Sequence, residues 1–227
     1  MMVASAESPV LNHMQLKDLV YEHLRRSIIE GEYEVGAALR EVDISTSLGV
    51  SKTPVREALV RLQSDRFVEL IPYRGAVVTG YSRRDVREMY EVREIVEGRC
   101  AARMAEADDD GARDELQNNL KDTWDAVSRG DVDAVIDLFE KFDGLIYAHA
   151  ENRWFADLID DLEGHQRRIG RPTVEIPGRI ETSTRQHQAI CDAILARDAE
   201  TAEAAMREHV RSVLADRLGN FPDDDAA

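Results

Sequence analysis

The sequence predicts a mostly α-helical fold in two parts: a small module of three helices plus a β-hairpin, then an all-α antiparallel helical bundle. Three observations predict it. Hydrophobic residues follow a helical period almost throughout, the period changes only at VELIPYRGAVVT (68–79), and charge divides unevenly along the chain. The net charge is -16 over 227 residues. Residues 1–80 carry 9 Lys/Arg against 11 Asp/Glu, and residues 81–227 carry 20 against 34, so the second part holds most of the acidity.

The elements follow in order. Residues 1–13 lack hydrophobic periodicity and read as a disordered N-terminus. A helix is expected from about Gln15 to Glu30, with Leu19, His23 and Ile28 inward, ended by the Gly31 and Gly36 region. A short helix at 41–48 closes at Gly49, and another runs from Ser51 to about Asp65. Val68, Leu70 and Ile71, a Pro72–Gly75 turn, then Ala76, Val77 and Val78 make the hairpin. Helix, helix, turn, helix and hairpin within residues 14–80 is the order of a winged helix-turn-helix.

Ser82 and Asp85 form a capping box that opens a long helix to about Ala107. Helices at about 110–129, 131–150, 153–169, 182–197 and 199–218 follow, punctuated by Gly130, Asn152, Gly170 and Asp198. Residues 171–179 form a proline-bearing loop, the bundle spans 81–219, and 220–227 is an acidic tail. A bundle of this kind encloses a ligand or dimerises. No apolar run approaches the roughly 20 residues needed to span a bilayer. The first residues show neither the basic nor the apolar region of a signal peptide. The expected location is the cytoplasm. Cys100 and Cys191, both in helical patterns, read as buried thiols.

GVSKTPVREAL (49–59) is the stretch with the clearest chemistry. Ser51 stands as N-cap, where its oxygen can accept from a first-turn amide. Pro54 falls in that turn, where no intrahelical donor is needed. Val55, Leu59 and Leu62 make the core stripe, which leaves Lys52, Thr53 and Arg56 together on another face at the helix N-terminus. Free amides there favour phosphate, and a recognition helix enters the major groove by this end. Arg56 or Lys52 suits guanine, and Thr53 suits a thymine methyl or a phosphate. The bland alternative is a capped surface helix; the preceding short helix, the Gly49 turn and the hairpin tip with Tyr73 and Arg74 favour double-stranded DNA.

REVDISTSLGVSKTPVREALVRLQSDRFVELIPYRGAVV (40–78) resembles the winged-helix domain of GntR-type transcription regulators. Lys52 replaces the arginine usual in that signature, which keeps charge and loses a fork-shaped donor. The resemblance implies that Arg40 contacts phosphate, that Ser51, Lys52, Thr53 and Arg56 engage the groove, and that Gly75 in the wing approaches DNA closely. DVREMYEVREIVEGRCAARMAE (85–106) and RQHQAICDAILARDAETAEAAMREHV (185–210) resemble the all-α effector domain of the FadR-like branch, the FCD domain.

Helical spacing puts His187 on a face with Ile190, Cys191 and Ile194, and His209 on a face with Ala202, Met206 and Val213. Phe139, Phe142 and Ile146 form an inward seam, with Asp143 beside it. Taken singly, each histidine fits a hydrogen-bonded core residue. The resemblance implies a divalent metal held by an Asp-x-x-x-His pair and two later histidines. Here the pair reads Phe139 and Asp143, which leaves Asp143, His187 and His209 as candidate ligands for zinc or nickel. The alternative is an organic effector bound directly. Arg93 and Glu97, four residues apart, are either a surface pair or an inward Arg93 that clamps an effector carboxylate. His149 is in register with Phe142 and Ile146, and His165 lies in a basic cluster that suits solvent or an interface.

The expected function is that of a homodimeric, ligand-responsive DNA-binding regulator, a repressor by resemblance, with an organic acid as effector bound by Arg93, Asp143, His187 and His209. A metal-dependent enzyme in the bundle and a protein-interaction module are the alternatives. Neither HExxH nor paired ExxH motifs support the enzyme.

Overall fold

The computed structural model describes residues 15–72, 74–149, 152–169, 173 and 176–221. The disordered N-terminus expected over 1–13, Tyr73, residues 171, 172, 174 and 175 of the expected 171–179 loop and the tail past Phe221 lie outside the described residues. The chain divides between Gly80 and Tyr81 into two compact units.

The first unit contains α1 (Leu16–Ile29), β1 (Ala38–Leu39), α2 (Glu41–Leu48), α3 (Lys52–Ser64), β2 (Val68–Ile71) and β3 (Gly75–Val78). Its core is Leu24, Ile28, Val55, Leu59, Leu62 and Phe67 with the inward residues of the sheet. The inward stripe of α1 is Val20, Tyr21, Leu24 and Ile28; of the residues expected inward Ile28 is buried, whereas Leu19 is 50% exposed and His23 is exposed. The stripe is turned by about one residue, because Tyr21 buries its ring and holds Asp65 through its hydroxyl at 2.6 Å. The strands are antiparallel in the order β1-β3-β2. Two-residue β1 adds an edge strand to the expected hairpin, pairing Ala38 with Val77 and Leu39 with Ala76.

Gly75 opens β3 at φ +87, and a Cβ there would stand 3.1 Å from the Leu39 carbonyl oxygen. The wing therefore needs glycine for its own fold. Gly75→Ala is expected to destabilise this unit by about 1–2 kcal/mol, read as a lower urea midpoint with an unchanged slope.

The second unit is all helical among the described residues: α4 (Arg83–Glu106), α5 (Asp110–Arg129), α6 (Val132–Ala148), α7 (Arg153–Arg168), α8 (Arg179–Leu195) and α9 (Ala199–Gly219). The Ser82 hydroxyl accepts from the Asp85 N–H at 3.1 Å, and the Asp85 carboxylate accepts from the Ser82 N–H at 2.8 Å, so the box that starts α4 is complete. Helix α8 begins three residues earlier than its periodicity suggested, on Gly178 at φ 78. Arg179 is buried there and needs the helix to reach Ser212 and Asp216. The core gathers Tyr90, Cys100, Met104, Leu116, Phe142, Ile146, Ile190, Cys191 and Met206, with both cysteines as free, buried thiols. No helix of the described residues is long and apolar enough to cross a membrane.

Candidate functional site

In the first unit, Gly49 ends α2 in the left-handed conformation at φ 66, and Ser51 is the N-cap of α3. Pro54, Val55, Ala58, Leu59 and Leu62 turn inward, so Lys52, Thr53 and Arg56 are exposed on the opposite side. The Ser51 hydroxyl was expected to cap the first turn, but makes no capping bond. First-turn amides of α3 thus keep their hydrogen-bonding capacity for an outside acceptor. Arg40 is exposed at the N-cap of α2, and Arg74, also exposed, donates its N–H to the Ile71 carbonyl across the wing turn at 3.0 Å.

Arg56 has a partner that the sequence did not reveal. Its Nε and Nη2 donate to the two Glu41 carboxylate oxygens at 2.8 and 2.7 Å. The hydrogen bond and charge of Arg56 hold the Glu41 carboxyl below its ordinary range. Glu41 is fifteen residues away in sequence, so no local pattern links the two. Arg61 is spent on structure: its guanidinium covers the Tyr21 ring at 3.7 Å and reaches Asp18 at 3.5 Å.

In the second unit, the four side chains expected to form one site fall into two groups. Arg93 and Asp143 line a cavity of about 320 Å³ between α4, α6 and α7, together with Glu97, Tyr147, Ile159 and Leu162, with Glu140, Glu163, Gln166 and Arg167 also on its wall. Arg93 turns inward and is 7% exposed, which settles the two readings of its pair with Glu97. Its Nε donates to Glu97 Oε1 at 2.6 Å, its Nη2 donates to Oε2 at 3.3 Å, and its guanidinium lies 4.6 Å from the centre of the Tyr90 ring. Burial alone would weaken the Arg93 charge, but the Glu97 carboxylate more than offsets it. Burial and the neighbouring Glu97 push the Asp143 carboxyl up to about 8.

His187 and His209 lie in the core instead. Phe142 stacks on His187 with ring centres 4.3 Å apart and planes 2° from parallel, and Phe139 meets it edge-on at 4.6 Å. The His209 ring centre is 4.8 Å away, and its Nδ1 is 2.9 Å from Gln186 Oε1. His187 Nδ1 and Arg179 Nε are buried without hydrogen-bond partners. Burial first, then the Arg179 charge, push His187 down to about 3; burial, then His187 and Arg179, also lower His209.

The expected metal trio is therefore corrected. Among the described residues no group of three or more His, Cys, Asp or Glu side chains is placed to hold a metal ion. Phe139 occupies the space beside His187 where the resemblance calls for a carboxylate, and Asp143 faces the cavity with Glu97 and Arg93. These residues do not fit a metal centre. His149 is no part of the cavity wall either: its Nδ1 is 2.7 Å from the Leu145 carbonyl oxygen. His165 Nδ1 meets the Tyr81 hydroxyl at 2.6 Å.

Opposite pH dependences follow from the two groups. Unfolded histidines take up protons near 6.5, whereas folded His187 waits until about 3, so stability is lost as pH falls through that window. An unfolded aspartate ionises near 3.9, whereas folded Asp143 holds its proton to about 8, so stability is lost as pH rises through that window. Asp143→Asn is expected to raise the melting temperature at pH 8 by roughly 5 °C, and by clearly less at pH 5, in thermal melts followed by circular dichroism.

Comparison with known proteins agrees with this organisation. Residues 16–78 match the model of bacterial regulatory proteins, gntR family, and residues 88–212 match the FCD domain. The HTH-type transcriptional repressor RspR of Escherichia coli K12 is 28% identical over 194 residues, covering 86% of this chain and 85% of that protein. An uncharacterized HTH-type transcriptional regulator in an unstable DNA locus of Streptomyces ambofaciens is 33% identical over 207 residues, 87% of this chain and 83% of that protein. The solved structure of E. coli McbR/YncC shares the fold, with a TM-score of 0.68 at 23% identity over 92% of this chain and all of that one. With a winged unit that presents an open helix N-terminus and a helical unit that encloses a cavity, the chain belongs to the GntR family of transcription regulators, in the group that carries an FCD effector domain.

Proposed function

We propose that the protein is a homodimeric repressor that reads a near-palindromic operator through two winged units, and that a small molecule in the helical unit alters that reading. The observation that carries this is the N-terminus of α3: Lys52, Thr53 and Arg56 exposed together beside uncapped amides, within the segment matched by the gntR-family model. In this reading Arg56, Lys52 and Thr53 meet base edges, Ser51 and Arg40 meet phosphate, and Arg74 and Gly75, with Tyr73 beside them, carry the wing along the backbone. Domain limits of 14–80 and 81–219, and a place in the cytoplasm, belong to the same reading.

The acidic second half of the chain repels phosphate, so binding is confined to one orientation. Occupancy of the cavity would shift the population between arrangements of the two winged units, only one of which matches the half-site spacing. No catalytic role is assigned to the bundle.

Selection of bound duplexes from a random-sequence library tests the reading. A two-fold symmetric motif, with two chains per duplex by sedimentation, is the expected result. Recovery of unrelated sequences would contradict it.

A further inference from the structure

The sequence expectation is an organic acid as effector, with an inward Arg93 as one of two open readings of its pair with Glu97. The cavity has the opposite electrostatic character. Arg93 is already neutralised by Glu97 through two hydrogen bonds, 2.6 and 3.3 Å long. At the solvent side Arg167 pairs with Glu163 at 3.5 Å. Subtracting these pairs leaves Glu140 at the exposed rim and Asp143 further in, both on the wall of the same cavity. Asp143 differs from the other three carboxylates: it is only partly exposed and makes no hydrogen bond or ion pair among the described residues. Asp143 keeps its proton rather than stand as a poorly solvated, unpartnered carboxylate, and an ammonium delivered to it lets that proton leave to solvent and pairs with the charge that forms. An anion entering the same space finds both arginines of the wall already paired and meets the Glu140 carboxylate at the rim.

The remaining wall describes the rest of the ligand. Ile159 is 5% exposed and, with Leu162, gives the cavity an apolar side. Its volume of about 320 Å³ lies at the small end of ligand pockets. We infer that the cavity binds a small aliphatic amine in its ammonium form, with one ammonium on Asp143, the carbon chain along Ile159 and Leu162, and space at Glu140 for a second ammonium. This names the ligand class of the effector site proposed above and rests on that reading.

Isothermal titration calorimetry on the full-length protein tests it, with 1,4-diaminobutane and n-butylamine as cationic probes and butanedioate as the anionic one. The diamine is expected to bind, the monoamine to bind about tenfold more weakly, and butanedioate to give no heat. Asp143→Asn keeps the shape of the wall and is expected to weaken the diamine at least tenfold; Glu140→Gln, at the exposed rim, should weaken it less and leave the monoamine unchanged. Butanedioate binding that strengthens in Asp143→Asn would overturn the ligand class and leave the cavity as an effector site. Diamine binding of equal strength in Asp143→Asn, or no heat from any probe, would overturn the inference itself. Retention of the selected operator duplex by the same preparations is measured separately, so a failure of the regulator reading shows as lost DNA binding whatever the calorimetry gives.

Discussion

Arg56→Ala is expected to weaken operator binding by about 5- to 150-fold and to relax base preference at one position in each half-site. The guanidinium sits on the exposed face of α3, near the N-terminus that in the proposed reading enters the major groove. Glu41 adds a second part to the expectation. It holds two edges of the Arg56 fork, Nε and Nη2, and leaves Nη1 for DNA. That arrangement fixes the direction of a flexible side chain before it meets a base, and places a carboxylate near the phosphates. Glu41→Gln is therefore expected to raise affinity for random duplex severalfold while discrimination between operator and random duplex falls. Fluorescence anisotropy with both duplexes separates the two effects. Equal operator affinity for Arg56→Ala and the parent would remove α3 from the reading role.

The largest expected effect on stability is that of Phe142→Ala, about 3–5 kcal/mol. Phe142 is fully buried, at 0% exposure, and its ring lies parallel to His187 at 4.3 Å. Truncation leaves a void that Ile146 and Phe139 cannot fill without moving off the same helix face. Against a domain stability of about 5–15 kcal/mol this is a large fraction, so the variant should melt well below the parent. A specific signature accompanies the loss. His187 makes no hydrogen bond among the described residues, and its ring is kept dry by Phe142 and Phe139. Water admitted by the truncation should bring His187 back up from about 3 toward the ordinary histidine range, read from its ring-proton shifts against pH. Phe142→Leu should cost less and leave the histidine low. A Phe142→Ala protein that melts with the parent would contradict the packing described for this core.

Most of the winged unit was legible because its periods are strong and its punctuation local. Gly49 and the Val55, Leu59, Leu62 stripe defined α3 without reference to any other element. The turn of α1 was not legible, since Leu19 and Val20 are both apolar and only the buried contact of Tyr21 with Asp65 decides which faces inward. Likewise β1 is two residues long and exists through its pairing with β3. In the helical unit, spacing correctly placed His187 and His209 in the interior, where both are nearly fully buried. It put Asp143 with them because one helical turn links it to Phe139. The azimuth of a carboxylate beside an apolar seam is set by its neighbours on α4 and α7, which local spacing does not encode. The inward turn of Arg93 was one of two open readings, and Glu97 was visible as its partner; the charge balance of the cavity, which depends on three helices at once, was not.

The measurement that tests the central claim most directly is the affinity of the parent protein for its selected operator against a scrambled duplex of equal length, titrated from 50 to 200 mM salt. The predicted result is a preference of about a thousandfold or more for the operator at physiological salt, with affinity for both duplexes falling as salt rises. Equal affinity for the two duplexes across that range would contradict the account.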